Sequence, residues 1–77
     1  MLITDKEIKK ALENGGFIRR SSWREKQAAY HLTKYGVLEF VYHESGIDYT
    51  PLEDDLEAVA IEYDELLSDD WVVKDNG

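Results

Sequence analysis

An α+β fold, with a small antiparallel sheet of about four to five strands, an N-terminal helix and a short C-terminal helical turn, is the class this sequence predicts. Three observations carry it. The chain opens with a helix signature marked at both ends. Two alternating segments then flank Lys34-Tyr35-Gly36, and a last short apolar run stands at Trp71-Val72-Val73. Strands in succession with helical pieces near the ends predict a sheet with its helices on one side. The 77 residues suit one compact domain, with residues 75–77 a polar tail expected to fray.

The first element covers residues 4–16. Thr4 and Glu7 have capping-box spacing, which satisfies two backbone N–H groups of the first turn. Ile8, Ala11 and Leu12 recur at helical spacing as an inward stripe, and Ile3 faces Ile8 across the cap. Gly15 accepts the left-handed conformation that closes a helix, and Gly16 permits a tight exit.

A short strand follows over residues 17–20, with Phe17 and Arg19 on one side and Ile18 and Arg20 on the other. Residues 27–33 and 37–43 alternate regularly around a turn containing Gly36, the pattern of a hairpin. Residues 44–55, with Gly46, Pro51 and three consecutive acids, read as a surface loop. Alternation returns over residues 56–62, which favours another strand over a helix. Residues 63–68 read as a helical turn anchored by Leu66 and Leu67, before the final strand from Trp71.

Composition limits the chemistry. The chain has no cysteine, so disulfides, thiol nucleophiles and Cys-based zinc sites are excluded. Charges by position five lead to the expectation of no signal peptide at this N-terminus, and no apolar run approaches the roughly 20 residues a membrane helix needs. A cytoplasmic location with no membrane partner is the default. Net charge is −8, but residues 1–38 carry +4 and residues 39–77 carry −12. The uneven distribution serves solubility and pairing between the halves. It also allows an anion-binding surface on the first half, or mimicry of DNA by the second.

Neither His31 nor His43 belongs to a ligand or catalytic motif; His31 reads as a strand residue, and His43 lies beside Glu44 at a strand end. The acid pairs Asp54-Asp55, Asp64-Glu65 and Asp69-Asp70 lack calcium-loop spacing and read as a solvated rim. No phosphate-cradling glycine loop is present, because Gly15-Gly16 ends a helix where such a loop would begin one. No cofactor, metal or catalytic residue is expected. The tryptophans carry more information. Trp71, flanked by Leu67 and Val73, is the expected core anchor. Trp23 lies between polar residues, and packing over the sheet edge and stacking on a base are both open to it. Arg20 and Arg24 nearby would hold phosphate.

The N-terminal helix ending at Gly15-Gly16, the Ile18-Arg19-Arg20-Ser21-Ser22-Trp23 segment and the close at Glu65-Leu66-Leu67-Ser68-Asp69-Asp70-Trp71-Val72-Val73 resemble the second type of phage Thoeris anti-defence sponge family. The likeness runs over nearly the whole chain. It implies a small antiparallel sheet assembling with itself as dimers or tetramers. The implied function is to sequester, uncleaved, a cyclic ADP-ribose-type or cyclic-nucleotide immune signal made by an infected bacterium. Through the resemblance, Trp23 would stack on a base or wall the pocket, Arg20 would face phosphate, and Asp69, Asp70 and Trp71 would shape the closing side. Arg24 and Tyr30 join the expected ligand-binding set from local chemistry. Pro51 stands upstream of the family's proline, and residues 53–57 are more acidic than its pattern. Some relatives are associated with inhibition of CRISPR nucleases. The alternative is therefore an acidic DNA mimic or protein inhibitor docking on a host defence nuclease or other basic protein, without binding nucleic acid itself.

Overall fold

The computed structural model describes residues 1–51 and 58–74. The first helix, α1 (Lys6–Glu13), begins later than the capping-box spacing predicts. Asp5 is its N-cap, and the Asp5 carboxylate accepts a 3.0 Å hydrogen bond from the Glu7 N–H. A carboxylate here both satisfies the orphan donor and complements the positive end of the helix, so it displaces Thr4 from the role. At the other end Gly15 takes φ +81°, and the Gly16 N–H donates to the Ala11 carbonyl at 2.7 Å. A side chain at position 16 would crowd that same carbonyl. The predicted glycine closure is what forms.

The strands are β1 (Phe17–Arg20), β2 (Ala28–Thr33), β3 (Gly36–His43), β4 (Gly46–Pro51) and β5 (Trp71–Lys74). Every neighbouring pair is antiparallel, in the order β4-β3-β2-β1-β5. The predicted hairpin closes as a two-residue turn, with Thr33 opposite Gly36. Its register is pinned by the Thr33 hydroxyl, which donates to the Gly36 carbonyl at 2.9 Å and accepts from the Tyr35 N–H.

Two expectations are corrected. Residues 46–51 are a strand rather than part of a loop, because Glu44-Ser45 makes a second two-residue turn with His43 opposite Gly46. Gly46 takes φ +150°, which suits glycine, and Ile47 then packs on the sheet opposite Tyr42. Conversely, residues 58–62 form no strand. The Val59 N–H donates to the Val37 carbonyl at 2.7 Å, and Val59 and Ile61 turn inward against the core. The alternation there reflects burial without a ladder. The rest of the expected loop and strand, residues 52–57, and the expected fraying tail, residues 75–77, lie outside the described residues.

The second helix, α2 (Tyr63–Leu67), forms where the helical turn is expected but is held differently. Leu66 and Leu67 are exposed, Leu67 at 63%, and the helix buries none of its residues. Polar bonds tether it instead. The Trp71 indole N–H donates to the Glu65 carbonyl at 3.0 Å, and the Tyr30 hydroxyl reaches the Glu65 carboxylate at 3.4 Å.

Apolar residues fill both faces of the sheet. On one, Ile18, Tyr30 and Trp71 pack beneath Ile8 of α1, with Leu12, Trp23, Val37, Val59 and Ile61 around them. On the other, Phe17, Ala29, Leu38 and Phe40 form a second cluster with Tyr42 and Ile47. The strict alternation of β1 thus sends Phe17 and Arg19 to one cluster's side and Ile18 and Arg20 to the other.

Candidate functional site

The sequence-predicted site residues separate into two groups. Arg20 stands opposite Trp71 at the end of the β1–β5 ladder and pairs directly with the preceding residue, Asp70, Nε to Oδ1 at 2.8 Å. The Ser22 N–H donates to the other Asp70 oxygen at 3.2 Å, and the Ser21 N–H to the Asp70 carbonyl at 2.9 Å. Hydrogen bonds from Ser22, followed by the Arg20 guanidinium, hold the Asp70 carboxyl down at about 2. The same pairing raises Arg20. Arg20 therefore already has an anionic partner within the chain.

Tyr30 and Trp71 are buried on the α1 side. Burial first, and then the neighbouring Glu65 carboxylate, push the Tyr30 hydroxyl well above its ordinary range, so it serves as a donor to Glu65. Trp71, with no exposed surface, is the core anchor the sequence predicts. Asp69 is exposed and contributes its carbonyl, which accepts from the Met1 ammonium.

Trp23 and Arg24 belong to the second group. Both line a cleft of about 730 Å³, together with Arg19, Lys26, Tyr42, His43, Glu44, Val72 and Lys74. Four of these residues are Lys or Arg and one is Glu, so this concavity is positive on a chain whose total is −8. Strand pairing brings them together. Arg19 stands opposite Val72, Lys74 stands opposite Phe17, and Tyr42 leaves β3 on the same face of the sheet.

Arg19 is the feature the sequence reading missed. Only 8% of it is exposed, yet no carboxylate lies within ion-pair distance among the described residues. Its guanidinium donates to the carbonyls of Ala28, at 3.4 Å, and Trp23, and it lies 4.2 Å from the Tyr42 ring centroid. Neutral dipoles and a π-face offset part of the cost of burying this charge, and they leave its sign uncompensated. The alternation of residues 17–20 places Arg19 opposite in facing to Arg20, but only the fold shows that this side opens into a cleft.

Trp23 is half-buried, edge-on to Tyr30 and Trp71 with ring centroids 5.3 and 5.5 Å away. It both packs on the core and borders the cleft. Lys26 lies 4.4 Å from the Trp23 ring centroid and pairs with Glu39 at 3.0 Å. His43 and Glu44 are exposed at the rim, whereas His31 lies elsewhere, stacked on Phe17 with Nδ1 3.0 Å from the Gly16 carbonyl.

Among the described residues no three His, Asp or Glu side chains gather to hold a metal ion. No helix among them is long and apolar enough to cross a membrane. No family model matches the chain, and no curated protein or solved structure matches it either.

Proposed function

We propose that the chain binds a small anionic ligand of the nucleotide type in this cleft and holds it without cleaving it. The observation that carries the reading is Arg19: a buried guanidinium with neutral partners, facing a concavity that also gathers Arg24, Lys26 and Lys74. An incoming phosphate supplies the missing negative charge where water is partly excluded, and charge-assisted bonds there are stronger than neutral ones.

The likeness of the Arg20-to-Trp23 and Asp64-to-Val73 segments to the anti-defence sponges gives this reading its biological form. The ligand would be a cyclic ADP-ribose-type or cyclic-nucleotide immune signal, sequestered in the cytoplasm of an infected bacterium by a self-associating phage protein. Calorimetry against cyclic dinucleotides and cyclic ADP-ribose isomers, followed by chromatography of the released ligand, tests it. Binding with the ligand recovered intact is the expected result. The absence of both heat and a thermal shift across the panel would overturn the proposal, and conversion of the ligand would make the protein an enzyme.

A second reading draws on α2, which turns Tyr63, Leu66 and Leu67 outward beside the exposed acids Glu62, Asp64 and Asp69. Such a surface suits docking on a basic defence protein. That association would weaken as salt rises, and binding unchanged at high salt would count against it.

A further inference from the structure

Two aromatic rings border the cleft, Trp23 and Tyr42, and cations lie over both. Lys26 Nζ is 4.4 Å from the Trp23 centroid. Arg19 is 4.2 Å and Lys74 is 5.7 Å from that of Tyr42. The Trp23 ring also meets Tyr30 and Trp71 edge-on, at interplanar angles of 67° and 75°. A nucleobase stacks on an open π-face, and here it would compete with a cation for the surface of each ring.

We infer that the cleft reads its ligand through phosphate charge and is largely indifferent to the base attached to it. This rests on the anion-binding reading above. In this arrangement the rings are holders for cations. Each limits the freedom of a long side chain before the ligand arrives, which reduces the ordering cost of binding. Arg19 is fixed further by the Ala28 and Trp23 carbonyls, and Lys26 by Glu39. Lys26 and Lys74 carry charge as compact point groups, and the Arg19 fork is already taken up by two carbonyls and the Tyr42 ring, whereas base discrimination needs donors and acceptors matched to the base edge. Beyond its cations, the cleft's side chains with such groups, Ser21, Gln27, His43 and Glu44, are all exposed, and Tyr42 already lies under Arg19. Phosphate is therefore the part of the ligand that the structure is prepared to meet.

The test is a titration of the full chain, read by calorimetry, with paired ligands that differ in base or lack one. Cyclic di-AMP and cyclic di-GMP are expected to bind within about threefold of each other, as base-tolerant sites do. Inorganic pyrophosphate should displace both, and adenosine and guanosine should not bind. Lys74→Met and Arg24→Ala, which remove cleft charge, should weaken every anion alike by about threefold to tenfold. Lys9→Ala, which removes one exposed charge from α1, should leave binding unchanged. The inference fails if the two dinucleotides differ by more than about a hundredfold, the scale on which a base-reading site discriminates, or if the nucleosides bind as tightly as the nucleotides. Base-selective binding that Lys74→Met still weakens would overturn this inference and leave the anion-binding reading standing. Binding of none of these probes would overturn both.

Discussion

Arg19 and Arg20 are chain neighbours with the same chemistry, and the sheet sends them to opposite fates. Arg20 leaves β1 on the α1 side and meets Asp70, which Ser22 also holds. Arg19 leaves on the other side and meets carbonyls and a tyrosine ring. One region closes on its own charges, and the other is left with a surplus. The difference shows how a strand's two-residue period can build a structural latch and a binding group from adjacent identical residues.

Perturbing the closed region should cost folding first. Trp71→Ala removes the largest fully buried side chain and the indole N–H tether to α2. A loss of about 3–5 kcal/mol is expected in urea unfolding, enough to unfold much of so small a domain. Asp70→Asn breaks the pairing with Arg20 and weakens the bonds to Ser22 while keeping the shape, so about 1–2 kcal/mol should be lost. Anion binding in the cleft should survive that change.

The same carboxylate predicts a pH dependence. Its folded value is depressed to about 2, below the ordinary carboxylate range of about 3.9. Its contribution to stability is therefore complete above pH ~4 and is lost as pH falls from there through about 2. Acid titration of the unfolding free energy should show that loss in the wild type and a flatter limb in Asp70→Asn.

The open region should respond in the reverse manner. Arg19→Met exchanges a buried charge for an apolar side chain, so stability should stay within about 1 kcal/mol of wild type. Phosphate-ligand affinity should nevertheless drop at least about tenfold. An Arg19 variant that unfolds while Asp70→Asn does not would reverse the assignment of latch and binding group. The smallest effect is expected at α2. Leu67→Gln should change stability by less than about 0.5 kcal/mol, because this leucine is not an anchor.

Periodicity made most of the sheet legible, along with the burial of Trp71 and the glycine end of α1. Strand β4 was obscured because Gly46 and Pro51 bracket it with loop chemistry, although Ile47 lies opposite Tyr42 on the packed face. Val59 and Ile61 alternate for the opposite reason: burial without a ladder. The site was less legible than the fold. Arg24 and Trp23 do border the cleft, but Lys74 and Tyr42 reach it through register that local sequence does not encode. Arg20 looked like the phosphate ligand because Asp70, fifty positions away, could not be seen as its partner.

The position of β5 also governs when the cleft can exist. Strands β1 to β4 join successive neighbours through local connections, but β5 must return from position 71 to pair with Arg20. Closing a span of that length is entropically costly, so this pairing is the natural late event in folding. Val72 and Lys74 arrive with it, and the Asp70 latch engages in the same step. A chain with β5 undocked would keep Arg19 but lack one wall around it, so the capacity to bind is coupled to completion of the sheet.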